Sequence, residues 1–177
     1  MIDKLIDESF ISISNKLVIT GDDKLYELFY DNTDPLNEYV ADRFRNNFRA
    51  YKLMINETSD SSDYKIVLSN TEIKTNYNKI FTDKVLGTKQ LEREITVNFD
   101  VKITSKDSSE VIYNQNFNKN AKDNIDLDKL DFSEDKRYSF SSSKLPEENT
   151  VNQILFPAII ITVSAAAIIL FFTIRSK

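Results

Sequence analysis

The chain has 177 residues with 28 acidic and 23 basic side chains, a net charge of −5, and neither histidine nor cysteine. These absences exclude disulfides, thiolate metal sites, cysteine nucleophiles and acid–base catalysis by histidine. The acidic balance and the lack of a dense Lys/Arg cluster predict no nucleic-acid partner. With 41% hydrophobic residues, including 12 Phe and 8 Tyr, the chain is rich enough in apolar side chains to build one folded domain.

The pattern of the N-terminal residues predicts a helix followed by extended segments. Five apolar side chains recur near helical spacing, at Ile2, Leu5, Ile6, Phe10 and Ile13. This pattern predicts an amphipathic helix over residues 1–15. The sequence KLVIT at 16–20 predicts a short strand, because it is rich in β-branched residues. A turn at 21–23 then leads to a second extended run, KLYELFY, at 24–30.

The clearest predicted helix covers residues 35–50. Asp34 is a candidate N-cap residue, and Pro35 suits the first helical position. An apolar stripe follows at spacings of three and four, formed by Leu36, Tyr39, Val40, Phe44, Phe48 and Tyr51. Three arginines, Arg43, Arg45 and Arg49, fall mostly off this stripe. They fit a solvated helix face better than an anion-binding patch.

The following segments predict a sheet. Short extended runs occur at 52–55 and 64–70, whereas 71–90 has no single period. Residues 91–104 alternate strictly, and only Arg93 interrupts the apolar row; the row supplies the predicted core residues Ile95, Val97, Phe99 and Val101. A turn at 106–109 leads to a hairpin partner at 110–117. We therefore predict an α+β fold, in which the 35–50 helix packs on one face of a mostly antiparallel sheet of four to six strands.

This pattern divides the chain into five predicted regions. The N-terminal helix at 1–15 precedes an α+β sandwich domain at 16–117. A polar segment at 118–153 drapes over the domain and then serves as a linker. An apolar segment at 154–174 and a basic tail at 175–177 complete the chain.

The apolar segment carries no charge over 21 residues, from 154 to 174. At 1.5 Å per residue a helix of this length measures about 31 Å, close to the thickness of a membrane's hydrocarbon core. The segment therefore predicts a C-terminal transmembrane helix in a single-pass membrane protein, with the lipid bilayer as a partner. The predicted anchor residues are Ile154, Pro157, Ala158, Thr162, Ala166, Phe171, Phe172, Arg175 and Lys177.

Two rules conflict on which side of the membrane the folded domain would lie. Arg175 and Lys177 follow the apolar segment and Glu147 and Glu148 precede it, which favours an extracytoplasmic, periplasmic domain. The start, MIDKLIDESFISIS, lacks the continuous apolar core of a signal peptide, which favours a cytosolic domain. We expect the extracytoplasmic arrangement and keep the cytosolic one as an alternative.

The sequence contains no catalytic constellation. The acidic run DNIDLDKLD at 123–131 lacks the spacing, the glycine and the closing Glu of a calcium-binding loop. Gly21 and Gly87 stand alone, so no phosphate-binding loop is indicated. Ser141–Lys144, in a polar stretch beside Pro146, fits a linker better than a Ser/Lys catalytic pair. We therefore predict no cofactor, no metal site and no enzymatic activity.

Three segments carry a resemblance to a known family: KLYELFYDNTDPLNEYVADRFRNNF, YKIVLSNTEI and EREITVNFDVKITSKDSSEVIYNQNF. In the order of their predicted strands and helix and in their residue patterns, they resemble the lipopolysaccharide-assembly lipoproteins, which plug and support an outer-membrane translocon. The resemblance covers residues 16–117 and implies an exported α/β sandwich used as a binding module. The sequence contains no cysteine that could carry that family's lipid, and its first residues do not have the pattern that we expect of that family's leader.

Together these observations predict a non-catalytic, single-pass membrane-anchored binding or assembly module of a bacterial cell envelope. Its expected partner is a protein or a lipid-like molecule. A cytosolic tail-anchored adaptor or tether is one alternative, and a membrane-bound hydrolase that uses carboxylates is another. The sequence leaves the oligomeric state open.

Overall fold

The computed structural model describes residues 1–21, 23–82, 87–147 and 150–175, with the backbone alone described at 18–20, 150–157 and 172–175. The helices are α1 (Ile2–Thr20), α2 (Pro35–Asn47), α3 (Leu130–Ser133) and α4 (Thr150–Arg175). The strands are β1 (Leu25–Phe29), β2 (Lys52–Ile55), β3 (Tyr64–Thr82), β4 (Lys89–Ser105) and β5 (Val111–Asp126). Short 3₁₀ turns occur at Leu127–Lys129 and Ser139–Ser141.

The five strands form one mixed sheet in the order β2-β1-β3-β4-β5. Strand β1 pairs in parallel with both β2 and β3, whereas the long β3–β4 and β4–β5 ladders are antiparallel. The predicted α+β class is confirmed, but the prediction of a mostly antiparallel sheet is corrected to a mixed one. The reason is the connection through α2, which carries the chain back to start β2 beside β1 in the same direction.

Helix α1 continues through the KLVIT segment, so the predicted strand at 16–20 is wrong. Leu17 extends the buried stripe of the helix and is fully buried, and this tertiary burial outweighs the local strand preference. The helix ends at Gly21, whose φ of 106° favours glycine. The Gly21 N–H donates to the Leu17 carbonyl at 2.9 Å, and the Tyr26 hydroxyl donates to the Gly21 carbonyl at 2.6 Å.

Helix α2 begins as the sequence predicts. The Asp34 carboxylate accepts a hydrogen bond of 2.9 Å from the Leu36 N–H, and Pro35 occupies the first turn. The helix ends at Asn47, three residues earlier than predicted, with Phe48 as its C-cap. Phe48 nevertheless stays in the apolar stripe, because its ring packs against that of Phe44 at 4.4 Å between centroids.

The core lies between the sheet and two helices, not beneath α2 alone as predicted. The ring of Phe10 in α1 packs against those of Phe44 in α2 and Phe99 in β4, with distances between ring centroids of 5.3 and 5.6 Å. Seven of the predicted core side chains are at most 2% exposed: Val40, Phe44, Phe48, Ile95, Val97, Phe99 and Val101. The eighth, Leu36, is partly buried and packs at the margin of this core.

Strand β3 runs through the region where the sequence shows no single period. Register shifts occur between Ser69 and Glu72 and between Tyr77 and Lys79, and each adds one residue to β3 relative to β4. Asn70, inside the first bulge, has a φ of 52°. Each extra residue exchanges the faces of the strand, so the inward positions change from even to odd numbers and back.

Strand β5 extends to Asp126, nine residues beyond the predicted end at 117. Residues 118–126 are therefore part of the sheet and not part of a draped segment. The chain after β5 does cross the open end of the core. There Tyr138 and Phe140 contact Tyr39 of α2, with ring centroids 4.9 and 5.1 Å apart.

Helix α4 contains the apolar C-terminal residues, and its side chains are described over 158–171, where all are exposed. Among the described residues, no helix has both the length and the apolarity that crossing a membrane requires. This finding contradicts the predicted transmembrane helix at 154–174 and the single-pass membrane location drawn from it.

The predicted anchor residues are placed as follows. Ala158, Thr162, Ala166 and Phe171 lie on α4 and are exposed, and the Thr162 hydroxyl donates to the Ala158 carbonyl at 2.7 Å. The backbone alone is described for Ile154, Pro157, Phe172 and Arg175, and Lys177 lies outside the described residues.

Candidate functional site

The most buried carboxylate of the described chain belongs to Glu27 on β1, which is 1% exposed. It accepts hydrogen bonds from the Ser59 N–H at 2.7 Å, the Ser62 hydroxyl at 2.6 Å and the Lys106 ammonium at 2.8 Å. Lys106 also donates to the Ser59 carbonyl at 2.7 Å. These contacts fasten the loop before β3 and the β4–β5 turn onto the end of the sheet.

The environment of Glu27 favours the ionised form. Burial alone would raise the pKa of Glu27, but the hydrogen bonds from Lys106, Ser62 and Ser59 outweigh it and lower the pKa to about 2. A carboxylate with so low a pKa and three donors is a poor general base near neutral pH. We therefore assign Glu27 a role in holding the fold.

Arg93 is the one interruption of the apolar row on β4, and it lies in a cross-strand row with Tyr77 of β3 and Asp123 of β5. Its guanidinium donates to the Asp123 carboxylate in a bidentate pair, with distances of 3.0 and 2.7 Å. A third contact reaches the Ser133 carbonyl at 3.4 Å. The hydrogen bond to Asp123 raises the pKa of Arg93.

Tyr77 extends this row with a hydrogen bond from its hydroxyl to the Glu134 carboxylate. Burial, together with the neighbouring Glu134 carboxylate, raises the pKa of Tyr77 above its ordinary value. The phenol therefore stays protonated near neutral pH. Arg93 and Tyr77 both tie the segment after β5 to the sheet.

A cleft of about 180 Å³ opens beside Arg93. Its lining includes Ile95 and a cluster of three aromatic rings, those of Tyr39, Tyr138 and Phe140. Asp3 also lines it and contacts both the Tyr39 hydroxyl and Arg43. Because its charged side chains, those of Asp3, Arg93 and Asp135, already have partners, we assign the cleft to packing between α1, α2 and the 133–141 segment and not to a ligand site.

Metal ligation receives no support from the described residues, where no three Asp, Glu, His or Cys side chains are arranged to hold an ion. In the acidic run at 123–131, Asp123 pairs with Arg93, Asp126 with Lys129 and Asp131 with Lys136. These carboxylates thus have cationic partners from the chain itself.

The outer face of β3, β4 and β5 is polar and carries many asparagines. The Asn116 amide donates to the Asn98 carbonyl oxygen at 2.9 Å and to the Asp100 carboxylate at 2.7 Å. Asn120 likewise donates to the Glu94 carboxylate at 2.7 Å. Side-chain amides thus connect β5 to β4 across an open surface.

The edge of the sheet next to this face is β5, a strand of 16 residues. An edge strand displays a row of backbone N–H and C=O groups that another strand can pair with. The opposite edge, β2, has only four residues. Strand β5 is therefore the longer template for an added strand.

A groove of about 290 Å³ runs between α1 and β5 on the inner side of this edge. Glu8 and Ser12 of α1 line one wall, and residues 115–119 line the other. Phe117 lies at its base, 4% exposed and packed on Phe99 with ring centroids 5.1 Å apart. At one end, the hydroxyls of Ser12 and Tyr113 are hydrogen-bonded at 3.1 Å. The groove thus has one apolar residue at its base and polar walls, unlike the mostly apolar pockets that bind small molecules.

Sequence reasoning did not select residues 113–122 as a site. Whether a strand lies at the edge depends on strand order, which is a property of the whole sheet. One local signal was present: asparagine occurs at every second position from 114 to 120. Period-two spacing of amides indicates a strand with one amide-bearing face.

Comparisons with known proteins give no relative: no protein-family model matches the chain, and no curated protein matches it significantly. The resemblance to the lipopolysaccharide-assembly lipoproteins therefore stays a prediction.

Proposed function

We propose that this protein is a non-catalytic binding module that takes up an extended polypeptide segment of a protein partner along the free edge of β5. The observation that carries this proposal is the length of that edge strand, 16 residues, with the groove beside it. Strand addition of this kind draws its affinity from backbone hydrogen bonds and its specificity from pockets for alternate side chains.

The groove suits the inward side chains of an added strand. Phe117 offers an apolar contact at its base, and Gln115 and Lys119 flank that contact on the same face of β5. Glu8 contributes a negative charge from α1. A segment with an apolar residue between polar ones therefore fits this surface best.

The state of the buried ionisable groups supports a non-catalytic role. The Glu27 carboxylate already accepts three hydrogen bonds, and the opposite charges of Arg93 and Asp123 form an ion pair. Such groups stabilise a fold but leave no acid or base poised near neutral pH. The expectation of a binding module that accompanies the lipoprotein resemblance agrees with this proposal.

Peptide selection against the intact chain tests the proposal. Random 12-residue peptides displayed on phage are selected for binding, and the best ones are synthesised and added at saturating concentration. We expect amide hydrogen exchange to slow at least tenfold at the free edge of β5. Protection confined to α4, or to the outer face of β3, would overturn the proposal.

Two adjacent proline variants, Asn118→Pro and Lys119→Pro, supply a matched control. Neighbouring residues of a strand direct their N–H groups to opposite sides, so one proline removes a donor from the free edge and the other breaks the ladder with β4. We expect the edge variant to keep its stability and to lose peptide affinity at least tenfold, and the ladder variant to lose stability. Unchanged affinity in both variants would contradict strand addition.

A further inference from the structure

The central part of β5 is symmetric about Phe117. Asparagines stand one and three residues away on either side, at positions 114, 116, 118 and 120. Gln115 and Lys119 stand two residues away on either side. This symmetry matters because two identical strands that pair antiparallel about a two-fold axis place positions equidistant from the centre opposite one another.

We propose that the segment added to β5 is β5 of a second copy of this chain, antiparallel and centred on Phe117; this inference rests on the proposed function. Asn116 then lies opposite Asn118 of the second copy, and Asn114 opposite Asn120. On the inner face Phe117 meets its own counterpart, and Gln115 faces Lys119. The two five-stranded sheets become one sheet of ten strands.

The amide pairs give this contact specificity. Directly opposed side chains in an antiparallel pair lie about 5 Å apart at Cβ, within reach of a hydrogen bond between amides. A side-chain amide both donates and accepts, so asparagine is complementary to itself. Asn116 and Asn120 already donate to β4, and their carbonyl oxygens are acceptors for the amides of the second copy.

The distribution of charge selects the antiparallel direction. The charged residues of β5 are Lys119, Lys122, Asp123 and Asp126, all in its second half. Pairing centred on Phe117 places Lys119, Lys122 and Asp123 opposite Gln115, Ile112 and Val111, all uncharged, while the position facing Asp126 lies before the start of β5. A parallel arrangement in register would instead align Lys119 with Lys119, and like charges in opposed positions are destabilising.

The pairing also removes an exposed edge. A long strand with open N–H and C=O groups invites uncontrolled association unless it is covered. A two-fold contact uses the same surface on both copies and closes on itself, so it ends with a dimer.

Cysteine cross-linking of the full chain tests the register, because the sequence contains no cysteine of its own. Two variants, Asn116→Cys and Asn118→Cys, are purified with different tags, mixed and exposed to a mild oxidant. Opposed residues have Cα atoms about 4.5–5.5 Å apart, which suits a disulfide. We expect the mixture to give at least ten times more cross-linked dimer than either variant alone.

Two further mixtures serve as controls. Asn114→Cys with Asn120→Cys is expected to cross-link as well, whereas Asn76→Cys with Asn78→Cys, on the same face but on the interior strand β3, is expected not to. Cross-linking of Asn118→Cys with itself would move the two-fold axis to residue 118 and overturn the register. Equal yields in all mixtures would overturn the edge contact.

A charge variant gives an independent measurement. In Asn116→Lys/Asn118→Lys two lysine pairs face each other, and we expect the dimer fraction in sedimentation to fall at least tenfold. Adding the Asn118→Asp variant is expected to restore a mixed dimer, because its new carboxylate at position 118 then faces the new ammonium at position 116. If neither cysteines nor charges affect association while selected peptides still protect β5, the second copy is the wrong partner. If the peptides fail to protect β5 as well, the proposed function fails with it.

Discussion

The two faces of the long strands show the same alternation of side chains but different means of stabilisation. The inner row of β4, from Leu91 to Ile103, lies under two helices and is apolar except at Arg93. The outer row carries amides and carboxylates linked across the strands, as in the contacts of Asn116 and Asn120. Burial thus provides the stability on one side, and the other side is left free for contacts.

Two buried charged residues depart from this division between an apolar and a polar face. Arg93 on the inner face of β4 and Glu27 on β1 are both nearly inaccessible to solvent, and each has a charged partner. Both join a segment outside the sheet to it. We therefore expect substitutions to rank by burial, with the apolar inner face first, the buried ion pairs second and the exposed amides last.

The largest effect is expected for Phe44→Asp, which places a charge between α1 and the sheet. Phe44 is fully buried and contacts both Phe10 and Phe48. An unpaired buried charge costs several kcal/mol, enough to unfold a domain of ordinary stability. Circular dichroism during urea unfolding of the full chain measures this.

The control for this substitution is Asn46→Asp, on the exposed side of the same helix. It introduces the same charge, and we expect a change in the free energy of unfolding within about 0.5 kcal/mol. A cooperative urea transition of Phe44→Asp at the wild-type midpoint would show that α2 does not contribute to the core.

An intermediate effect is expected at the ion pair on the inner face. Arg93→Ala leaves Asp123 without its partner and should cost about 3 kcal/mol of unfolding free energy. Replacing both residues, as Arg93→Met/Asp123→Leu, should recover most of that loss, because an apolar pair also fits an apolar row. Urea unfolding compares the two, with Lys102→Ala on the outer face as the control. A double variant less stable than Arg93→Ala would contradict this interpretation.

An effect no larger than that of Arg93→Ala is expected for Glu27, and it depends on pH. Its pKa in the folded protein, about 2, lies below the ordinary value of a glutamate. The stabilisation is therefore complete above the unfolded pKa, near 4.3, and is lost as the pH falls toward 2. The shift corresponds to about 3 kcal/mol at most.

Unfolding free energies of wild type and Glu27→Gln, measured from pH 6 to pH 2.5, test this linkage. We expect the difference between the two to be greatest at pH 6 and to shrink toward pH 2.5. Glu57→Gln, an exposed change in the loop after β2, should parallel the wild type throughout. A difference that does not vary with pH would mean that Glu27 has an ordinary pKa.

Helix α2 and strand β4 could be predicted from the sequence because their signals are local. Asp34 and Pro35 mark the start of a helix, and the side chains of β4 alternate between the two faces with Arg93 as the one charged residue in the apolar row. Strand β3 could not be predicted in full from the sequence. Its two bulges exchange the inward and outward positions, so its apolar residues do not follow one period along the whole strand. Local patterns therefore succeed only where the register is continuous.

Other differences between the predicted and the observed structure arise from tertiary contacts. The KLVIT segment prefers a strand locally, but burial of Leu17 and the cap at Gly21 continue the helix. The second half of β5 is rich in Asn and Lys, residues that are uncommon in strands, and pairing with β4 fixes it there. The candidate site depends on strand order, which a linear pattern does not encode.

The bulges of β3 restrict which insertions and deletions this strand can accept. Removing Asn70 or Asn78 would remove a bulge and leave the core positions facing the core, because β3 has one extra residue relative to β4 at each of these points. Removing one residue elsewhere in the strand would make core positions and solvent positions trade places. Changes of length by two residues preserve the parity, whereas changes by one require a bulge to appear or vanish. Insertions and deletions of two residues should accordingly be tolerated along this strand. Those of one residue should be tolerated only at its two bulges, next to Asn70 and Asn78.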